Sequence, residues 1–492
     1  MKCSSHVFLS PPFRFTALLL ALSVFLGISF AHADILVGTA RTDITPPLPV
    51  ALAGQFNLRI AKKIESPVMA AAVALEKIDA DGNATEQAVM VSCDLVAIRD
   101  GVLEKVREEI VARSPEGLDP RKVFLSATHT HTAPVMREGV YRIPEEGVTT
   151  PTDFTAFLSE KVADLVVEAW DSRSPGSVSW GLGHAMVAQN RRIAYLDGTA
   201  AMYGKTGGEN FRGIEGYEDH GVEVLFFWQG DSEQPRAMAV NVACPAQEVE
   251  SRSAVNADYW HEVRESLAAK YGEDLVVLTW IGAAGDQSPH LMLRKSAEAR
   301  MLEARGLTRL EEIGRRIVAA VDEAWEVAKD DRHEDPVFSH HVADLSLPKR
   351  MVTEEEFAEA KAAIEKIRSG SEESIAKNMA RWLWNQRTVD RYESQESDSI
   401  LPMEMHALRL GDIAICTNRF ELFTEYGIRM KARSRALQTF VIQLAGPGTY
   451  LATEEAEAGG GYSAIINSCH VGPEGGEFLV DETVGAINSL WE

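Results

Sequence analysis

The chain has 492 residues, 45% apolar and 25% charged, with 49 Lys and Arg against 73 Asp and Glu. That length holds one large core or several, since domains run to roughly 100–200 residues. The formal net charge of −24 argues against a sequence-independent nucleic-acid binder, which needs a Lys/Arg surplus, and disfavours docking through a basic patch on an anionic membrane.

Residues 1–33 read as a secretory signal. Lys2 and Arg14 lead into an apolar run from Thr16 to Phe30, and Ala31-His32-Ala33 fits a small-x-small cleavage site. The run has 15 residues, short of the roughly 20 that a spanning helix needs. Cleavage would remove two basic residues and no acidic ones, taking the net charge to −26. A secreted or periplasmic product without a transmembrane segment is expected. Cys93, Cys244, Cys416 and Cys469 follow the signal, too few for a disulfide framework. Cys93 and Cys416 lie in apolar runs and read as buried thiols.

Strand patterns fall at Ile35–Ala40, Val68–Glu76, Ala88–Leu95 and Lys122–Ala127, and helical ones at Gly101–Ala112 and Asp153–Trp170. Further strands are expected at Ser177–Val187, Val222–Trp228 and Ala237–Ala243, then a helix at Tyr259–Tyr271 and a strand at Leu275–Trp280. Residues 296–390 turn Ala/Glu/Arg/Lys-rich and read as a helical elaboration, with periodicity at Leu310–Ala328 and Glu354–Ile367. Strands resume at Met405–Leu410, Ile413–Cys416 and Thr439–Leu444, and the last 45 residues look irregular. The mixture predicts an α/β fold: a mixed central sheet flanked by helices, with a site at strand ends and loops. One domain is expected over residues 34–492.

The chemistry-bearing residues cluster after those strands. His129 and His131 follow Lys122–Ala127 as an H-x-H pair, a zinc-type offering but a weak signal alone. Gly285-Asp286-Gln287-Ser288-Pro289 follows Leu275–Trp280 as a tight turn presenting Ser288. Cys244, after Ala237–Ala243, is either a small buried filler or a thiolate ligand. Glu421 stands between apolar residues, where an unpaired carboxylate is costly, and Tyr450 and Tyr462 flank a Gly-rich loop.

The order of these stretches resembles the neutral, non-lysosomal ceramidases, zinc amidases that cleave N-acyl sphingosines. The likeness is carried by Gly38–Pro47, Ser126–Pro134, Gln189-Asn190-Arg191, Gly285–Pro289, Glu421–Thr424 with Gly427, and Tyr450–Thr453. It covers most of residues 35–465 and implies a ceramidase-like zinc hydrolase domain. By this resemblance His129, Glu421 and Tyr450 would hold zinc, with His131, Arg191, Ser288 and Tyr462 around the scissile amide. Where the family has a further histidine ligand, this chain has Cys244, which is expected to serve as the fourth zinc ligand; the alternative is that it is no ligand, with the metal lost or held by His261. The implied function is that of an exported amidohydrolase acting on an N-acyl amide, such as a ceramide-like lipid, with metal-activated water. No counterpart of the family's immunoglobulin-like C-terminal domain is seen, so the metal chemistry is expected to transfer better than the substrate. Two other readings stand beside it: a hydrolase of an extracellular polysaccharide or another N-acyl or glycosidic substrate, and a non-catalytic exported binding protein.

Overall fold

The computed structural model describes residues 35–492, so the signal reading lies outside the described residues. In chain order the first half contains β1 (Ile35–Asp43), β2 (Met69–Ile78), β3 (Ala84–Cys93), α1 (Val102–Arg113), β4 (Val123–Ala127) and α2 (Pro151–Asp171). Then come β5 (Ser174–His184), β6 (Gly221–Gln229), β7 (Ala237–Val242), α3 (Tyr259–Tyr271), β8 (Val276–Ile281) and α4 (Arg309–Ala328). The remainder adds β9 (Phe338–Pro348), α5 (Met379–Ser394), β10 (Ile400–Leu410), β11 (Ile413–Thr417), α6 (Thr424–Arg433), β12 (Gln438–Ile442) and α7 (Pro473–Ser489).

β1 to β8 form one eight-stranded sheet in the order β8-β7-β6-β5-β1-β2-β3-β4, and β9 to β12 a second sheet in sequence order. Both sheets are mixed, as expected. Most neighbours run antiparallel, but β3–β4, β7–β8 and β11–β12 are parallel. Each parallel pair is bridged by a helix, respectively α1, α3 and α6, because parallel neighbours need a crossover.

Alternation along the strands divides the core. In β2, Ala70, Ala72 and Ala74 face α1 and α2, while Ala71, Val73 and Leu75 face the second sheet. In β11, Ile413 and Ile415 join that inter-sheet core, whereas Ala414 and Cys416 turn toward α6 and α7. The result is two sheets packed face to face with helices outside both. In β5, Gly181 and Gly183 admit α4: a Cβ on Gly183 would lie 2.0 Å from the Ala320 carbonyl oxygen. All four described cysteines are free and buried, which agrees with the reading of Cys93 and Cys416.

Two expectations need correction. β9 is an 11-residue strand inside the span read as helical, paired along its whole length with β10. α5, which begins in that span, is helical as expected, although with only Thr388 and Val389 buried it carries almost no apolar stripe to read. The tail read as irregular contains the 17-residue α7, whose Leu479, Val480, Val484 and Ile487 cover the second sheet. No described helix is long and apolar enough to cross a membrane.

Candidate active site

The three parallel strand pairs deliver their carboxyl ends to one region, where open α/β sheets place ligands. β4 runs into His129 and His131, β7 into Gln247–Glu250, β8 into Gly285–Ser288, β11 into Glu421, and β12 leads on to Tyr450. Glu421 and Tyr450 are held side by side by a short parallel ladder, Glu421–Leu422 on Tyr450–Leu451.

His129 sits in the left-handed region at φ 64°, uncommon for a residue with a Cβ. This conformation accompanies a fixed ring: Nδ1 lies 2.6 Å from the Val96 carbonyl oxygen and Nε2 lies 3.1 Å from Glu421 Oε2. Burial would raise the Glu421 carboxyl, but the His129 ring, Arg191 and the Tyr450 hydroxyl outweigh it and hold it near about 2. Burial, and then the Glu421 charge, push the Tyr450 phenol well above its usual range.

Arg191 ties the parts together. Its Nη2 donates to the Tyr450 hydroxyl at 3.2 Å and to the Gly285 carbonyl at 2.9 Å. Its Nη1 donates to Gln247 Oε1 at 3.0 Å and to the Tyr203 hydroxyl at 3.2 Å. Tyr203 in turn lies 3.1 Å from Ser288 Oγ. Gly285 permits this closeness, because a Cβ there would stand 2.3 Å from the Glu421 carbonyl oxygen. Asp286 has a positioning role instead. Its carboxylate accepts from Asn190 at 2.7 Å and from Thr424 N and Oγ1 at 2.9 and 2.7 Å, joining three of the stretches singled out in the sequence.

His131 meets the edge of the His129 ring at 4.9 Å between centroids. Its Nε2 is 2.9 Å from Gln247 Nε2 and its Nδ1 is 3.2 Å from Glu250 Oε2. Since the amide nitrogen donates, Nε2 accepts and the ring proton sits on Nδ1, facing Glu250. Burial lowers the His131 pKa to about 4 despite Glu250. A second imidazole, His290, lies 3.5 Å from Glu250 and 3.8 Å from Glu248. Burial, only partly offset by His290 and Arg309, lifts Glu248 to about 7.

Tyr462 is 38% exposed at the rim, with its ring 5.7 Å from Tyr450, 5.8 Å from Phe56 and 5.9 Å from Trp384. Of the residues named from the sequence, His129, His131, Arg191, Ser288, Glu421, Tyr450 and Tyr462 are thus brought together.

Cys244 is not. Its side chain belongs to the core cluster that includes Val242, Ala246 and Tyr259, with the Pro245 carbonyl oxygen at 3.8 Å and the Tyr259 hydroxyl as polar neighbours. Burial pushes its thiol upward. His261 starts α3, with no described contact to the group. Sequence reading also missed Tyr203, Gln247, Glu248 and Glu250, which lie on loops without periodicity; Gln247 and Glu250, three positions apart on one turn beyond Cys244, were the available signal.

The donor chemistry suits a divalent cation in a reduced form. Among the described residues no cluster of three or more His, Cys, Asp or Glu is gathered for a metal. Tyr450 would make a third donor beside His129 and Glu421, and catalytic zinc commonly takes three protein ligands. The Nδ1 bond to a backbone carbonyl is the usual support for a metal-binding histidine.

No protein-family profile and no curated protein sequence matches the chain. Solved structures do. The neutral ceramidase from Pseudomonas aeruginosa superposes with a TM-score of 0.67 over 93% of this chain and 74% of its own, at 17% identity. A ceramidase structure described as complexed with C2 gives 0.66, over 93% and 75%, at 15% identity. The chain has the neutral ceramidase fold. Within that fold, His129, Glu421, Tyr450 and Arg191 come from separate segments and meet at strand ends.

Proposed function

We propose that the protein is an exported hydrolase of N-acyl amides, working at the site built on His129, Glu421, Tyr450, Arg191 and His131. One observation carries this reading: a continuous polar relay, Arg191 to Tyr450 to Glu421 to His129, lies beside a second imidazole–carboxylate pair within a ceramidase fold. His129, Glu421 and Tyr450 would hold a zinc ion. When bound there, zinc supplies Lewis acidity toward the acyl carbonyl and acidifies an attacking water.

The chain's own groups do the rest. Arg191 is a donor beside the position where oxyanion charge develops. His131 Nε2 is the proton acceptor, once the Gln247 amide yields it to water or substrate. Glu250 fixes the His131 tautomer and stabilises the imidazolium that forms. The same imidazolium can then return its proton to the departing amine. Ser288, already bonded to Tyr203 and to the His290 backbone N–H at 3.0 Å, orients the substrate rather than attacking it.

The test is hydrolysis of a panel of N-acyl amides by the mature protein, with bound metal quantified in parallel. Stoichiometric zinc and amide cleavage lost together on chelation are expected. Full activity after exhaustive chelation would remove zinc from the reading, and no cleavage of any acyl amide would remove the reading itself.

A further inference from the structure

Next to the His129–Glu421 pair lies a cavity of about 170 Å³, smaller than a whole small-molecule site. It shares walls with the catalytic residues. Val96, on its lining, takes the His129 ring proton through its carbonyl. Gly54, also on the lining, is so close to His131 that a Cβ would lie 2.3 Å from the ring. Phe56 and Trp384 form the partition between the cavity and Tyr462.

The remaining polar lining is unusual for a chain with a net charge of −24. Arg99, Arg137 and Arg387 all border the cavity, and no carboxylate does. Arg99 donates to the Pro447 carbonyl, and Arg137 pairs with Asp100, an exposed carboxylate outside the lining. Exposed Arg387 makes no hydrogen bond or ion pair through its guanidinium among the described residues, though the charges of Asp100 and Asp390 reach it, and that of Asp100 also reaches Arg99. Burial, and then the neighbouring Arg137 charge, lower the Arg99 guanidinium to about 9. An anion in the cavity would relieve that repulsion.

We propose that this cavity is a subsite for an oxyanion on the substrate, which makes the preferred substrates N-acyl amides of an acidic amine rather than neutral ceramide-like lipids. The inference rests on the acyl-amide reading above. With the amide carbonyl between Arg191 and His131, a short acidic substituent on the amine side would displace the Phe56 ring from the partition and reach guanidinium groups able to take a carboxylate, sulfonate or phosphate in paired hydrogen bonds. The aromatic rim then packs on the apolar remainder.

The experiment compares N-octanoylglycine and N-octanoyltaurine with N-octanoylethanolamine, which keeps the acyl chain and amide but lacks the anion. The kcat/KM ratio of the better acid to the neutral amide is expected to exceed tenfold, and the preferred acid tells a planar from a tetrahedral oxyanion. Arg387→Gln and Arg137→Gln should each reduce that ratio at least fivefold, with Arg387→Lys keeping part of it. Calorimetric binding of the same three compounds to chelator-treated protein gives a readout without turnover. Arginine-dependent binding of the acids with no cleavage would sustain the subsite and fail the hydrolase reading. Equal cleavage of all three, unmoved by either glutamine variant, would overturn the subsite and leave the hydrolase reading standing.

Discussion

Glu421 Oε2 faces His129 Nε2 at 3.1 Å while the opposite ring nitrogen is committed to the Val96 carbonyl at 2.6 Å. With Nδ1–H donated to that carbonyl, a neutral ring would turn a lone pair toward a carboxylate held ionised. Two acceptors at that separation repel, so either a proton or a metal cation must lie on the Nε2 side. The prediction is that Glu421→Gln lowers zinc occupancy of the purified protein well below stoichiometric and cuts kcat/KM by about a hundredfold or more, the usual scale for a missing electrostatic group. Metal analysis and kinetics on one preparation check it. Undiminished zinc in that variant would argue against Glu421 as a ligand.

Cys244 supplies the contrasting case. Because its thiol packs among apolar side chains, Cys244→Ala should leave the zinc content intact while lowering stability by about 1–2 kcal/mol for the small void. Denaturant unfolding and metal analysis separate the two effects. Loss of metal without loss of stability would reinstate the cysteine as a ligand.

The misplacement of Cys244 marks where the sequence stopped being informative. His129, His131, Ser288 and Glu421 were legible because each follows a strand whose apolar run is readable, and strand ends are where such folds put their sites. Position beyond the strand end is a different matter. Val242 closes β7, and whether the chain then turns Cys244 inward or outward depends on the Cys244–Glu250 loop, which Arg59 shapes by donating to the Glu250 carbonyl at 2.6 Å and the Arg252 carbonyl at 2.9 Å. That contact joins residues 191 positions apart. α7 was hidden for a similar reason. Gly475 and Gly476 weaken its helical signal, yet a Cβ on Gly476 would lie 2.4 Å from the Tyr426 ring, so its glycine serves a contact the local pattern does not reveal.

Glu250 carries the third prediction. Its carboxylate is bracketed by His131 and His290, whose hydrogen bonds outweigh burial and hold it ionised far below the usual range. Glu250→Gln removes the charge that orients and stabilises a protonated His131 but keeps the shape. A fall in kcat of about 10²–10⁴, with KM changed far less, is expected if His131 moves the proton. Zinc content should stay unchanged, which separates this role from metal binding. A KM effect alone would assign Glu250 to substrate binding.

Glu312 links acid stability to the site. Its buried carboxylate, on α4, accepts from Arg305 at 2.9 Å, from Arg315 at 2.9 and 3.0 Å, and from Arg316 at 2.8 Å. Arg316 also donates to the Met186 carbonyl at 2.9 Å, just before the segment that carries Arg191. The Arg315 hydrogen bond above all, with Arg316, lowers the Glu312 pKa from 4.5 to about 2. A carboxyl whose folded pKa lies below its unfolded one contributes its full stabilisation above the unfolded value, and loses it as pH falls through the folded value. The window is therefore about pH 4.5 down to about 2, and the contribution above it is at most about 3 kcal/mol. Glu404 and Glu65 are held near about 2 as well, so the whole protein loses stability over the same range. The difference between wild type and Glu312→Gln isolates the one group. Unfolding free energies should differ by about 2–3 kcal/mol at neutral pH, and the two curves should converge between pH 4.5 and 2. Curves that stay parallel across that window would mean that the arginines around Glu312 contribute packing and no charge.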